Sequence, residues 1–530
     1  MFAVDRARKI STLVITCVGF FMVLLDASIV NVALPTIQRD LHAGLTDLQW
    51  VVDSYTLPFA VLLLTAGTLG DRFGRKRFFL IGLAVFTLGS ALCGFAPTLG
   101  WLTAGRVLQG VGGAFLSPGS LSVLASAFPE PRERAQAIGI WSGISGIGLA
   151  AGPLVGGLLI QVSSWPAIFF VNLPIGLIVL ALGWMVLLES SNPYARRIDI
   201  PGQLFIIAAL TTLTYALIEG SSLSWTSPVI LLSLGLSVLF FILFLIVEAR
   251  EQEPLLPLSL FKSFVFSTAN AAAVIVGFAM LGTVFFVAQY FQGIQGLSAL
   301  NSGLRTLPTT MGIFIAAPLA GWLTARFGPR LPVTIGALLA GSGLLLLTQI
   351  EPATPYAMIW WKFAMFGLGL GLMLSPLTAA VLAATPPTRA GLASSMINTS
   401  RQIGNVLGIA LLGALVAGQF TRNIEQNLVR AGVLPSVANT AARELASAGT
   451  QSASQGRLPV GITLSPQLLH ALIARAFTDA IHIAFTISGV ALLCTAVFAL
   501  FFLARVSRAD VLAKEKETLP QDAMAAVVLE

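Results

Sequence analysis

Long apolar segments recur along almost the whole chain, and they restrict its fold more than any other feature. An α-helix needs about 20 apolar residues to cross a bilayer core, and in lipid only helices and closed β-barrels satisfy their own backbone hydrogen bonds. No alternating pattern indicates a barrel. The sequence therefore predicts an all-α membrane protein with fourteen transmembrane helices, at 11–34, 48–69, 78–96, 101–127, 135–160, 166–188, 200–219, 228–248, 264–292, 301–324, 331–350, 356–382, 391–419 and 476–504.

Composition supports this interpretation. Of the 530 residues 56% are hydrophobic and only 10% are charged, whereas soluble domains are about 25% charged. A soluble protein this apolar would expose large patches that aggregate. Cys17, Cys93 and Cys494 all lie in apolar stretches, which argues against a disulfide framework. The first apolar segment is too long for a signal peptide core and contains an acid, so we expect it to be the first spanning helix.

The basic residues predict the orientation of the chain in the membrane. An even number of helices places both termini on one side. Most of the 30 Lys and Arg residues fall on that side, and the short loops of the other side hold only Arg39. By the positive-inside rule both termini are cytoplasmic and the protein lies in the cell (inner or plasma) membrane. Because topology accounts for the net charge of +7, nucleic-acid binding has no support.

One long hydrophilic stretch interrupts the pattern, at 420–475. We expect it on the outer side between the last two helices. It either forms short amphipathic helices that cap an exit path or is an insertion without a transport role. The tail, 506–530, is predicted to be cytoplasmic.

An internal repeat indicates two similar halves. The segment Gly67–Gly74, which reads GTLGDRFG, recurs as GWLTARFG at Gly321–Gly328. Both copies fall on turns of the predicted cytoplasmic side, so the two halves share one orientation. Parallel halves around a central path are a transporter architecture.

Two acids lie within the predicted membrane segments. Asp26, in helix 1, precedes Asn31, and a carboxylate near the bilayer centre costs about 2.5–3.5 kcal/mol. We expect Asp26 to face a wet cavity and to carry a proton reversibly; the alternative is a structural hydrogen bond to another helix. Asp53 of helix 2 is the second candidate. It lies nearer the outer face, so a solvated role competes with a functional one.

Helix 4 contains a buried cation candidate. Arg106 lies about one turn inside this helix, and Gln109 follows three residues later on the same face. Arg106 is therefore expected to balance a carboxylate. The alternative is that its side chain extends to the outer interface.

The first copy of the repeat predicts a conformational latch at the cytoplasmic turn. Gly67 and Gly74 permit a tight turn, and Asp71 can pair with Arg75. The alternative is a topology anchor, which we favour for the neighbouring Lys76 and Arg77. The second copy has Ala325 in place of Asp71.

Helix 5 carries glycines at four-residue spacing around a proline. This arrangement predicts very close helix approach and a pivot or seal, although ordinary membrane packing is the alternative. The residues of this motif are Gly148, Gly152, Pro153, Gly156 and Gly157.

Other chemistry lacks support in the sequence. No His/Cys spacing indicates a metal site, and no phosphate-binding loop indicates ATP-driven transport. We expect no cofactor and no enzyme activity. Arg305, Lys362 and Arg401 are expected to anchor helix ends at the interface.

Together these motifs resemble the major facilitator superfamily, and within it the drug:proton antiporters with fourteen transmembrane segments. The resemblance covers all the predicted helices but not the outer loop or the tail. It implies a major facilitator fold of two six-helix bundles, 1–190 and 263–505, with two inserted helices in 191–262. It also implies that Asp26 and Arg106 couple transport to protons, with Asp53 as a further acid.

The chain departs from relatives at two positions. Some relatives that favour dications have an acid in helix 10, which is absent here, so divalent substrates are in doubt. Relatives often have a basic residue beside the tryptophan after helix 5, whereas Trp165 is followed by Pro166. We have no account of the second difference.

The resulting hypothesis is a proton-coupled multidrug efflux antiporter that exports lipophilic, cationic compounds by alternating access. Its expected partners are small lipophilic substrates, protons and the bilayer, and we expect a monomer. Alternatives are a dedicated exporter of one antibiotic or cell-envelope lipid, and a membrane scaffold without transport. Candidate substrate-binding residues are Phe20, Gln109, Phe285, Gln289 and Tyr290.

Overall fold

The computed structural model describes residues 2–192, 198–386, 389–452 and 464–503, and this part of the chain contains helices and no strand. Fourteen of its helical spans are long and apolar enough to cross a membrane, which confirms the predicted fold class. The predicted tail, 506–530, lies outside the described residues. The helices are α1 (Phe2–Asp40), α2 (Leu45–Phe73), α3 (Arg75–Gly94), α4 (Leu99–Ala127), α5 (Pro131–Val162), α6 (Ala167–Phe170), α7 (Asn172–Val186), α8 (Ile200–Leu223), α9 (Pro228–Arg250), α10 (Phe264–Gln289), α11 (Ala299–Phe327), α12 (Arg330–Leu347), α13 (Trp360–Ala383), α14 (Ala390–Arg430), α15 (Pro435–Ser452) and α16 (Pro466–Phe502).

Local sequence signals set several helix ends. Ser298 caps α11, where its hydroxyl accepts a hydrogen bond from the Asn301 amide at 3.2 Å. Ser465 caps α16 in the same way, through the Leu468 amide at 3.3 Å. Such caps satisfy amide groups that the first turn of a helix leaves without a partner.

The helices pack in two groups with an extra pair beside them. Helices α1–α7 pack mainly on one another, and so do α10–α14 with α16. Helices α8 and α9 pack on each other, and α8 also lies against α2 and α14. This arrangement is compatible with the predicted domain limits, which stay a prediction.

The structure corrects the extent of the predicted outer loop. Residues 420–430 continue α14, and residues 466–475 begin α16. The buried side chains of Phe420, Ile424 and Leu428 recur every four residues, as one face of a helix requires. Polar residues between them concealed this face from a criterion based on continuous apolar runs. One amphipathic helix, α15, does form in the loop and lies against α14, α1 and α2.

The two groups of helices meet near one side of the molecule. We call the side on which α1 begins and α16 ends the terminal face, and the other side the opposite face. Near the opposite face, Gln49 of α2 donates a hydrogen bond to the Ile409 carbonyl of α14, at 3.1 Å. A Cβ added to Gly157 of α5 would lie 2.5 Å from the Cα of Leu300 in α11.

Toward the terminal face, glycines of α5 and α11 have open space beside them. A Cβ added to Gly139, Gly143, Gly146 or Gly321 would meet no atom within 4 Å. Because the contacts between the groups concentrate near the opposite face, the structure is closed there and open toward the terminal face.

Candidate functional site

A buried ion pair joins α1 to α4. The guanidinium of Arg106 donates a hydrogen bond to the carboxylate of Asp26, and each residue is only 1% exposed. An isolated charge of either sign would be strongly disfavoured in this environment. The alternative that the Arg106 side chain extends to the outer interface is therefore wrong, and the carboxylate that it was expected to balance is that of Asp26.

Amide and hydroxyl groups complete the surroundings of the pair. Gln109 Nε2 donates to Asp26 Oδ1 at 2.8 Å and to Ser90 Oγ at 2.8 Å, and Gln109 Oε1 accepts from Arg106 at 2.9 Å. Asn172 Nδ2 also reaches Asp26 Oδ1, at 3.3 Å. The sequence analysis missed Ser90 and Asn172, although both are polar residues within apolar helices, which is a usable signal.

Helix α2 supplies the remaining contacts of the arginine. Arg106 Nε donates to the Val51 carbonyl at 3.1 Å. Its guanidinium carbon lies 4.2 Å from the ring centre of Tyr55, a cation–π distance. Helices α1, α2, α3, α4 and α7 of the first group thus all contribute to one charge-balanced cluster.

Asp26 does not face a wet cavity in this structure, so that expectation is wrong for the conformation described. Its carboxylate is buried and bonded to side chains of α4 and α7. The alternative, a hydrogen bond to a neighbouring helix, is what the structure shows. Any exchange of a proton at Asp26 requires a rearrangement that brings water to it.

Asp53 has a different environment. It is 0% exposed, and neither carboxyl oxygen has a hydrogen-bond partner among the described residues. The solvated role is therefore wrong. Gln49 and Leu57, one turn before and after it, both contact α14, at Ile409 and at Val406. Since residues four apart share a helix face, Asp53 lies where the two groups of helices meet.

A cavity lies between the two groups. It encloses about 810 Å³ of space free of protein atoms, a volume that includes open solvent. Helices α1 and α5 line one side, and α10, α11 and α13 line the other. The lining residues are Ala27, Ser28, Asn31, Val32, Leu149, Pro153, Met280, Leu281, Thr283, Val284, Val287, Ala288, Ser302, Thr306, Thr309, Thr310, Ile313, Phe363 and Phe366.

The predicted substrate-binding residues do not line this cavity. Phe285, Gln289 and Tyr290 are at most 1% exposed and belong to the packed interior. Phe20 stacks on Trp141 with ring centres 4.6 Å apart, and Gln109 belongs to the ion-pair cluster. The prediction took aromatic residues from the same helices but from faces that turn away from the cavity.

The predicted latch forms an ion pair within one group of helices. Arg75 Nε lies 2.7 Å from Asp71 Oδ1. Gly74 adopts φ +125°, and the carboxylate of Glu189 accepts hydrogen bonds from the Lys76 and Arg77 amides, at 3.0 and 3.1 Å. In this conformation the pair therefore does not bridge the two groups. Gly67 faces Pro118 at ordinary contact distance.

The glycines of α5 serve two different contacts. A Cβ at Gly148, Gly152 or Gly156 would collide with α1, at Phe21, Ser28 or Ile29. Gly157 and Pro153 instead meet α11 of the other group. The same motif thus permits close packing within one group and the contact that closes the opposite face.

Three basic residues were expected at helix ends. Lys362 is buried at the start of α13 and donates to the Leu346 carbonyl at 2.8 Å. Arg305 donates to Gln295 Oε1 at 2.9 Å and lies over the Tyr356 ring. Arg401 lies well inside α14, where it donates to Asn398 Oδ1 at 2.9 Å, so its placement at a helix end is wrong.

The described residues contain no group of three or more His, Cys, Asp or Glu side chains that could hold a metal ion.

Comparison with known proteins identifies related sequences. The sequence profile of the Major Facilitator Superfamily matches residues 16–409. Multidrug resistance protein Stp of Mycobacterium tuberculosis is 41% identical over 423 residues, which are 80% of this chain and 79% of the relative. The tetracenomycin C resistance and export protein of Streptomyces glaucescens is 36% identical over 524 residues, 97% of this chain and 95% of the relative.

Solved structures share the fold. A bacterial homologue of the human lysosomal transporter Spinster, in an inward-facing and occupied conformation, superimposes with a TM-score of 0.61 at 20% identity. The match covers 94% of this chain and 97% of that chain. At this identity the likeness concerns the fold alone.

Proposed function

The chain belongs to the major facilitator superfamily, and from that premise we propose that it exports small lipophilic compounds across the cell membrane in exchange for protons. It is a multi-pass membrane transporter and not an enzyme. Relatives named as drug efflux or antibiotic resistance proteins support export as the direction.

The observation that carries the proposal is the cavity between the two groups of helices. Both groups contribute to its lining, and α5 and α11 of the two groups meet near the opposite face. A site of this kind changes the side it faces when the groups tilt against each other, which is the basis of alternating access. The cavity is therefore our candidate substrate site.

Asp53 is our candidate for the proton carrier. A buried carboxylate with no partner is strongly disfavoured in its charged form, so the neutral acid fits this closed interface. Separation of α2 from α14 would admit water to Asp53 from the opposite face. Asp26 is less suited in this conformation, because its protonation would leave Arg106 as an unbalanced buried charge.

The distribution of basic residues supports an orientation with the terminal face in the cytoplasm. In that orientation the cavity takes up substrate from the cytoplasm or the inner leaflet. Opening of the opposite face then releases substrate outside and exposes Asp53 to external protons. Because Asp53 is enclosed in the conformation described, release of that proton to the cytoplasm requires a further opening between α2 and α14 toward the terminal face, which completes one exchange. We propose that a single chain completes this cycle as a monomer.

The test uses inside-out vesicles from a pump-deficient host, acidified inside. We expect the wild type to accumulate a lipophilic dye and to dissipate the pH gradient when dye is added. The Asp53→Asn variant should lose both, and the Asp479→Asn variant, which changes an exposed acid, should retain both. Dye accumulation without proton movement would contradict antiport, and full activity in Asp53→Asn would reject Asp53 as the carrier.

A second candidate function is export of one antibiotic. It is favoured by the relative that matches over nearly the whole length and is named for resistance to and export of tetracenomycin C. A resistance profile restricted to one compound class in the pump-deficient host would select this candidate over multidrug export.

A further inference from the structure

Three buried polar side chains in the cavity have atoms without hydrogen-bond partners. Asn31 of α1, Thr283 of α10 and Ser302 of α11 line the cavity and are each at most 2% exposed. Asn31 Oδ1, Thr283 Oγ1 and Ser302 Oγ have no partner among the described residues. Buried polar atoms are nearly always satisfied, and each exception is costly. The residues border the cavity but these atoms are closed off from it, so a ligand reaches them through small shifts of their side chains.

Other polar groups of the same cavity are already satisfied. The Thr306 hydroxyl donates to the Gly303 carbonyl at 2.8 Å, and the Thr310 hydroxyl to the Leu307 carbonyl at 3.1 Å. Asn31 Nδ2 donates to the Ala27 carbonyl at 3.1 Å, which leaves its Oδ1 as the free acceptor. The cavity groups that are both fully buried and unsatisfied are thus one acceptor and two hydroxyls, and each hydroxyl can donate or accept.

The rest of the lining is apolar and without charge. Among the described residues that line the cavity, none is ionisable, and the walls include Met280, Val284, Phe363 and Phe366. No carboxylate among these lining residues could balance the charge of a cationic ligand held here. The cavity therefore differs from the site that the cationic substrates expected from the sequence would need.

We propose that Asn31, Thr283 and Ser302 form a hydrogen-bonding subsite for uncharged, largely apolar ligands that carry hydroxyl and carbonyl groups. This inference rests on the proposed export function, for which it names the substrate class. Asn31 accepts from a ligand hydroxyl, and the two hydroxyls donate to ligand carbonyls. The apolar walls take up the remaining ligand surface.

The positions of the three residues also connect binding to the transport cycle. Asn31 belongs to the first group of helices, whereas Thr283 and Ser302 belong to the second. A ligand that bonds to all three bridges the two groups of helices. When the groups tilt and the cavity opens to the opposite face, these bonds cannot all persist, so the ligand is held more weakly and is released.

The experiment measures equilibrium binding to the purified full-length protein in detergent. The probes are radiolabelled chloramphenicol and tetracenomycin C, both uncharged and rich in hydroxyl and carbonyl groups, and ethidium, a permanent cation. We expect saturable binding of at least one uncharged probe, and tighter binding of it than of ethidium. Thr283→Val and Ser302→Ala should each raise its Kd about 3–10-fold, the cost of one lost hydrogen bond.

Two further variants control for general effects of hydroxyl removal. Thr310→Val removes a cavity hydroxyl that is already bonded to the backbone, so its loss of affinity should be smaller. Thr324→Val changes a hydroxyl of the same helix outside the cavity, which bonds to the Ala320 carbonyl at 2.7 Å, and should leave the Kd unchanged.

The subsite is rejected if neither uncharged probe binds saturably, if ethidium binds more tightly than both, or if Thr283→Val and Ser302→Ala bind as the wild type does. The vesicle assay separates this result from the proposed function. Hydroxyl-dependent binding without transport would support the subsite and reject the export function. Proton-linked export together with unchanged ligand binding in both hydroxyl variants would support the export function and reject the subsite.

Discussion

The guanidinium of Arg106 and the carboxylate of Asp26 form an ion pair in the interior of the first group of helices, where both side chains are almost fully buried. Asp53 lies two residues after Val51, whose carbonyl accepts a hydrogen bond from the same arginine, yet its own carboxyl has no partner. Of these two buried acids on neighbouring helices, one has a cationic partner and the other has none among the described residues.

Removal of the arginine should destabilise the protein strongly. Arg106→Ala leaves Asp26 as a buried carboxylate without a countercharge, and such a change costs about 3–5 kcal/mol in unfolding free energy. We expect a clear fall in the midpoint of thermal unfolding of the purified protein. The double variant Asp26→Asn with Arg106→Gln removes both charges and should recover part of the loss. An unchanged midpoint in Arg106→Ala would show that the pair contributes no stability.

Replacement of Asp53 should instead stabilise the protein. Asp53→Leu removes a buried carboxyl whose oxygens have no partners, and an unsatisfied buried group costs about 1–3 kcal/mol. We therefore expect the midpoint of thermal unfolding to rise, while proton-linked dye transport is lost. A lower midpoint would indicate that Asp53 makes stabilising interactions, contrary to the structure.

The contact between α5 and α11 should control access from the opposite face. A Cβ at Gly303 would lie 2.8 Å from the backbone carbon of Pro153, so Gly303→Val should push the two groups apart there. The parent for the measurement is a chain with its native cysteines replaced by serine and with Asn31→Cys added. We expect Gly303→Val to increase the rate at which this cysteine reacts with an impermeant maleimide added from the opposite face.

Gly321→Val is the matched control for this labelling experiment. Gly321 lies on the same helix, and an added Cβ there meets nothing within 4 Å. Labelling should be as slow in this variant as in the parent. Equal labelling rates in the Gly303→Val and Gly321→Val chains would argue against a seal at this contact.

The turn between α2 and α3 should tolerate only glycine. Gly74 has φ +125°, and an added Cβ would lie 2.9 Å from the Glu189 carboxylate, which bonds to the first amides of α3. We expect Gly74→Ala to lower the unfolding free energy by about 1–3 kcal/mol. Gly296→Ala, at φ +66° with open space around it, should cost less in the same unfolding measurement. An equal cost would remove the contact with Glu189 from the explanation.

The sequence by itself determined the fold class and most of the helices. Each spanning helix must supply about 20 apolar residues of its own, so the signal is local and can be read without knowing any neighbour. The pairing of Arg106 with a carboxylate was also predictable in kind, because a buried cation requires a countercharge. The helical extensions at 420–430 and 466–475 were missed because their apolar faces are interrupted by polar residues.

Only the tertiary structure decided which faces of these helices meet. Asp26 and Asp53 are both isolated acids in apolar segments, and their local sequence does not show which of them has a charged partner. Packing places the first beside Arg106 and the second against α14 without a partner. Packing likewise directs Asn31, Thr283 and Ser302 to the cavity and Phe285 and Tyr290 into the interior. In a membrane helix that is apolar on every side, the pattern does not indicate which face is turned inward, so those positions depend on contacts between distant parts of the chain.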